Sequence, residues 1–195
     1  MTKKRARRGA WIFIYTAAFM LGVAVYLCLM LAMGKTLVWW PDGVKQHYTV
    51  LGYVGKAVRG LLNGEGLPMM SLELGQGLDV MTTTAYYGYT DPLSLLAAFS
   101  NERSLEIVYA IIAFLRLYLT GLLFGVYAKT VGIRDDWAVA CGQMIFTFCG
   151  YFTSMAGRHP YFINGGLYLL LVLIGVERVL HYRKWALYVL AVALM

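Results

Sequence analysis

Asp42 stands in Trp39-Trp40-Pro41-Asp42-Gly43, just where the first long apolar run has ended. Two chemistries compete for it. Pro-Asp-Gly is turn chemistry, and an Asp before a helix caps its first amides. A carboxylate at a lipid–water boundary also suits a general base, or a ligand for a divalent cation (Mg or Mn) beside a lipid phosphate. Arg158 and His159 fall in a short turn between two later apolar runs. One reading is a solvated turn whose arginine touches headgroups. The other is a basic clamp: the guanidinium fork holds a phosphodiester and the imidazole moves a proton. Arg116 lies deep in an apolar run, where an arginine costs several kcal/mol unless it is paired or reaches the interface. It is either a structural ion partner or part of a substrate path. Tyr86 and Tyr87 open an aromatic cluster that reads as an interfacial belt or as a platform for a sugar face. Glu73 and Asp79 flank a Gly-rich turn and read as solvated acids.

The elements that must position these residues are apolar. Of 195 residues 60% are hydrophobic and 14% charged, against about 45–50% and 25% in a soluble domain. Disorder and disulfide scaffolds are excluded, since aromatics make up 15% and there are three cysteines. Cys28, Cys141 and Cys149 sit in apolar runs without a CxxC, which argues against a cysteine metal site. The net charge of +7 does not point to nucleic acid. Lys3, Lys4, Arg5, Arg7 and Arg8 precede the first apolar run, as in the cytoplasmic flank of a membrane anchor.

The pattern predicts an all-α polytopic membrane protein with about four complete transmembrane helices, a truncated fifth and a large helical outer loop between the first two. The spans are 10–33, 105–128, 137–156 and 161–177, and 185–195 is the start of a fifth. Each complete span is a run of the length that hydrocarbon requires. The basic flank is 1–9, the outer loop 34–104, the outer turn 157–160, and the cytoplasmic loops 129–136 and 178–184. Basic residues gather in the segments that an inside N-terminus places in the cytoplasm, as the positive-inside rule requires. A chain ending inside a span reads as the N-terminal piece of a longer protein. Within the outer loop, Val44, Tyr48, Leu51, Val54, Val58 and Leu61 recur near helical spacing, with Lys45, Gln46, Lys56 and Arg59 elsewhere. This predicts an amphipathic helix over 44–62 lying on the outer membrane surface. A second short helix is expected from Asp91-Pro92 to Phe99.

Taken in order, several segments carry a resemblance: Trp40-Pro41-Asp42-Gly43-Val44-Lys45-Gln46, Gly66-Leu67-Pro68, Leu74-Gly75-Gln76-Gly77-Leu78-Asp79, Tyr86-Tyr87, Asp91-Pro92-Leu93, Arg158-His159-Pro160-Tyr161-Phe162-Ile163-Asn164 and Gly175-Val176-Glu177-Arg178. The set resembles the N-terminal part of the YfhO family of bacterial membrane proteins, large polytopic proteins of GT-C-like glycosyltransferase architecture. The resemblance implies sugar transfer on the outer face of the plasma membrane. The donor would be a polyprenyl-phosphate sugar, and the acceptor a cell-envelope polymer such as lipoteichoic acid, or a glycolipid. It implies Asp42 as the essential acid of the first outer loop. Arg158, His159, Arg116, Gln46, Tyr86 and Tyr87 become candidates for substrate binding. The competing reading is a non-catalytic transporter or envelope-assembly protein, with Arg116 on a substrate path.

Overall fold

In a computed structural model of the chain, residues 9–72, 75, 77–88 and 91–195 are described. The basic flank, Glu73, Leu74, Gln76, Tyr89 and Thr90 lie outside them, so the readings of the flank, of Glu73 and of the full Gly75–Gly77 and Tyr86–Pro92 segments stay sequence readings. Among the described residues the elements are α1 (Ala10–Ala32), a π-helical turn (Gly43–Tyr48) running into α2 (Thr49–Leu62), strands β1 (Met70–Ser71) and β2 (Leu78–Asp79), α3 (Val80–Ala85), a 3₁₀ helix (Ser94–Phe99), α4 (Leu105–Thr130), α5 (Asp136–Thr147), α6 (Gly150–Arg158), a 3₁₀ turn (Pro160–Phe162), α7 (Ile163–Tyr182) and α8 (Ala186–Leu194). Helices α1, α4 and Pro160–Tyr182 are each long and apolar enough to cross a bilayer, and α5 with α6 makes a fourth candidate. The chain divides into two compact units: Met1–Lys35 with Arg116–Ser154 and Phe162–Met195, and Thr36–Leu115 with Met155–Tyr161.

The first unit is a helical bundle. Along α1 the buried residues are Trp11, Tyr15, Phe19 and Val23, one every four residues and so one stripe of the helix. Phe13, Leu21 and Leu29 on other faces are exposed, as suits a helix solvated by lipid. The Tyr15 hydroxyl donates to the Tyr118 carbonyl (3.0 Å) and bonds the Thr147 hydroxyl (3.2 Å). Thr16 and Tyr118 join their hydroxyls at 3.0 Å. The Gln143 amide donates to the Gly121 carbonyl (2.9 Å). A Cβ on Gly121 would run into Tyr15 and Thr147, and one on Gly125 into Trp11 and Gln143. Two glycines one turn apart on α4 thus seat both neighbours, the small-residue packing that helices in lipid rely on.

Three boundaries differ from the sequence reading. The third span, expected straight over 137–156, bends by 47° between α5 and α6. Phe148 departs from helical dihedrals (φ −98°, ψ 21°) and the Thr153 hydroxyl bonds the Cys149 (2.9 Å) and Gly150 (3.3 Å) carbonyls, the back-bonding that bends helices. The loop expected at 178–184 is helical to Tyr182 and stops where Arg183 turns left-handed (φ 53°). Charge ends a lipid-crossing run without ending a helix, and Glu177 and His181, one turn apart at 3.2 Å, support the extension. The outer turn 157–160 shrinks to His159, because Gly157 and Arg158 finish α6 and Pro160 begins a 3₁₀ turn. In this unit α8 folds back on α7, where Gly175 leaves room for the Tyr188 backbone.

The second unit has its own core. Leu51 of α2 packs with Ala97, Leu105, Tyr109 and Ile112, and Val54 and Ala57 pack with Val80. The apolar face of the amphipathic segment is therefore covered by protein, not turned to the membrane surface as expected. Its partners, α3 and the 3₁₀ helix, are too short to be recognised by periodicity. The expected helix at 92–99 is 3₁₀ and starts at Ser94, whose amide and hydroxyl both donate to Asp91 Oδ2 at 2.9 Å. Gly55 lets α2 lie against the Ala97 backbone, and Arg59 donates to the carbonyls of Ala97 (3.3 Å), Ala98 (3.2 Å) and Ser100. A cation thus sits at the C-terminal end of the 3₁₀ helix, where the helix dipole favours positive charge.

Candidate functional site

The site is built where the chain leaving the first span meets the segment 155–161, both in the second unit. The Gly157 carbonyl accepts from the Trp39 amide (3.2 Å) and the Tyr109 hydroxyl (3.1 Å). A Cβ on Gly43 would sit 2.7 Å from the Gly157 oxygen, and one on Gly157 2.6 Å from the Leu37 oxygen. Both clashes are with backbone, so only glycine permits this approach. The approach brings residues more than a hundred positions apart to one place.

Asp42 is itself in helical conformation (φ −66°, ψ −43°) and its side chain caps no amide. The turn reading accounts for the backbone: Val44 donates to Trp39 O and Lys45 to Pro41 O. It does not account for the carboxylate. Asp42 Oδ2 lies 3.7 Å from His159 Nε2, and Oδ1 lies 3.5 Å from the Gln46 amide nitrogen. The Tyr87 hydroxyl donates to Gln46 Oε1 at 3.2 Å. On its other side, His159 Nδ1 meets His47 Nε2 at 2.5 Å. The His47 ring packs edge-on to Tyr87 (5.2 Å between centroids) and near Tyr86 (6.5 Å). Burial grades across the cluster: His47 is 4% exposed, while the side chains of His159 and Asp42 are 20% and 43% exposed. The carboxylate is at the open end and the imidazoles lead inward.

Two cations stand on the adjacent tryptophans. The Arg158 guanidinium lies 4.6 Å from the Trp39 ring, and Lys45 Nζ 4.9 Å from the Trp40 ring. Such stacking holds a cation in place without neutralising it, so both keep their charge for an anionic ligand.

Of the residues singled out in the sequence, Asp42, Gln46, Tyr86, Tyr87, Arg158 and His159 therefore share one neighbourhood. Arg116 belongs to the first unit, where it is 3% exposed in α4 and its carbonyl accepts from the Thr120 hydroxyl. Asp79 is a cap: its carboxylate accepts from the Thr82 amide at 2.6 Å, and that bond holds its carboxyl below the usual range. His47 was missed. Its signal was spacing: it follows Asp42 by five residues, and a π turn puts that spacing on one side. Among the described residues no group of three or more His, Cys, Asp or Glu converges as a metal set.

Neither a comparison with curated proteins nor one with solved structures gives a match. A family model described as bacterial membrane protein YfhO matches residues 13–195, nearly the whole chain. With its apolar spans and the helical segment between the first two, this chain belongs to the YfhO family of bacterial membrane proteins.

Proposed function

We propose that the protein is a membrane glycosyltransferase that moves a sugar from a polyprenyl-phosphate donor to a cell-envelope polymer, such as lipoteichoic acid, or to a glycolipid. The reaction takes place on the outer face of the plasma membrane, with the N-terminus in the cytoplasm, as the basic flanks indicate. The reading draws on the family resemblance. The observation that carries it is Asp42, whose carboxylate caps no amide, is 43% exposed and faces His159 at 3.7 Å.

The acceptor hydroxyl approaches Asp42, which takes its proton as the oxygen attacks the anomeric carbon. The new C–O bond forms as the bond from that carbon to the phosphate oxygen breaks, and the electron pair leaves with the polyprenyl phosphate. One displacement inverts the anomeric centre. The leaving phosphate needs cations, which Arg158 and Lys45 supply; a guanidinium offers phosphate two parallel hydrogen bonds. Tyr86 and Tyr87 present aromatic faces and a hydroxyl beside the carboxylate, suited to a sugar ring.

The test is chemical. Cells lacking the full-length protein are complemented with wild type or with Asp42→Asn, and the sugar content of their envelope polymers and glycolipids is measured. Restoration by wild type and not by Asp42→Asn, at equal protein level, is expected. Unchanged sugar content in cells lacking the protein overturns the reading.

A further inference from the structure

We infer that His47 is a positioning residue: its Nε2–H donates to His159 Nδ1, which leaves the His159 proton on Nε2, aimed at the Asp42 carboxylate. The kinetic consequence rests on the transfer reading above; the hydrogen-bond assignment does not.

A neutral imidazole has one donor and one acceptor nitrogen, and which is which is set by what each nitrogen faces. The 2.5 Å between His47 Nε2 and His159 Nδ1 holds one proton. If His159 Nδ1 carried it, His159 Nε2 would turn a lone pair toward the carboxylate oxygen 3.7 Å away, acceptor against acceptor. If His47 Nε2 carries it, His159 Nε2–H faces Asp42 and both contacts are favourable. The carboxylate thus selects the tautomer of the near ring, and the buried ring locks it.

The surroundings support the locking role. His47 is 4% exposed and its ring is held by Tyr87 and Tyr86, so it has little freedom to turn away. The ring planes of His47 and His159 are nearly perpendicular (87°) with centroids at 4.6 Å, an edge approach that aims nitrogen at nitrogen. Around this chain of three groups stand the Tyr86 ring, the Tyr87 hydroxyl, Gln46 on Asp42, and the cations Lys45 and Arg158 on their tryptophans. His47 thus orients the ring whose N–H in turn holds the base, Asp42. Here one π turn carries both the carboxylate and the ring that orients its partner.

In ¹⁵N imidazole spectra of the full-length protein in nanodiscs, the His47 and His159 signals are assigned by their loss in His47→Asn and His159→Asn. Wild type should show His159 protonated at Nε2 and accepting at Nδ1. His47→Leu should give a mixture of both His159 tautomers. His47→Gln, whose amide reaches the same place, should restore the wild-type pattern. In transfer assays His47→Leu should lower kcat roughly 10–100-fold, the range typical of losing an orienting partner, with KM within about 3-fold and an altered pH profile; His47→Gln should recover most of the rate. A wild-type His159 protonated at Nδ1, or a His159 tautomer indifferent to His47→Leu, overturns the inference. So does an equal loss of rate in the Gln and Leu variants. If wild type transfers no sugar, the transfer reading fails and the spectra alone decide the role of His47. If His47→Leu does not fold, the wild-type and His47→Gln spectra decide it.

Discussion

The helical bundle of the first unit and the Asp42 cluster of the second pair polar side chains for opposite ends. In the helical bundle those bonds mostly terminate on backbone. Tyr15 donates to the Tyr118 carbonyl, Gln143 to Gly121 and Thr120 to Arg116. A carbonyl cannot change charge at ordinary pH, so such contacts fix helices and do no more. Around Asp42 in the second unit the side chains terminate on one another: His47 on His159, His159 against Asp42, Tyr87 on Gln46. Each of these groups gains or loses a proton or re-pairs with a ligand. Where a polar side chain's partner is itself a reactive side chain, the contact is a candidate for chemistry.

The sharpest way to break that comparison is to remove charge at one end and space at the other. Asp42→Asn keeps the shape of the side chain and caps nothing that the Asp capped. Transfer should fall roughly 10²–10⁴-fold, the usual contribution of a positioned base, with thermal unfolding in detergent unchanged. Gly121→Val should do the reverse. The added carbons meet Tyr15 and Thr147, so stability should drop by about 1–3 kcal/mol or more, as overpacking does, while the chemistry of whatever folds is intact. If Asp42→Asn unfolds the protein, or Gly121→Val spares stability and abolishes transfer, the division between the units is wrong.

Gly157→Ala joins both effects. Its Cβ would lie 2.6 Å from the Leu37 oxygen, which forces the segment carrying Arg158 and His159 away from the one carrying Asp42. A loss of about 1–3 kcal/mol is expected from the clash, together with a fall in transfer larger than the loss of folded protein explains. Arg158→Ala should be milder and different in kind. A charged hydrogen bond contributes about 1.5–3 kcal/mol, so KM for the lipid-linked donor should rise roughly tenfold or more while kcat changes little. A drop in kcat at constant KM would assign Arg158 to the reacting centre instead.

Much of this organisation is legible in the sequence, and the gaps have physical causes. The spans follow from composition, because lipid tolerates only long apolar helices. Asp42 and His159 are found by residue type and by sharing one side in the topology. Their meeting is not legible, since it depends on two glycines, Gly43 and Gly157, that resemble any turn glycine until the backbones pass. The face that covers α2 was misjudged because lipid and a protein neighbour impose the same periodicity on an amphipathic helix. His47 was hidden by the π turn, whose spacing no 3.6-residue pattern finds.

The smallest effect concerns another aspartate of this unit that stands before a helix, and it sharpens the contrast with Asp42. Asp79 accepts from the Thr82 amide and caps α3, whose Val80 is fully buried against Val54 and Ala57. The bond to the ionised form lowers the carboxyl pKa in the folded protein. A lowered folded pKa means stability that is complete above the unfolded pKa, near the ordinary Asp range of about 3.9, and that fades as pH falls through the folded value. Hydrogen exchange at the Thr82 amide should therefore be slow at neutral pH and speed up relative to the rest of the unit below about pH 4. Asp79→Asn still caps but cannot titrate, so its protection should be independent of pH across that window; Asp79→Ala should lose protection throughout. The Asp42 variants should leave the Thr82 amide untouched at every pH, because Asp42 caps nothing. An exchange rate at Thr82 that follows Asp42 would mean that the carboxylate assigned to chemistry is holding structure after all.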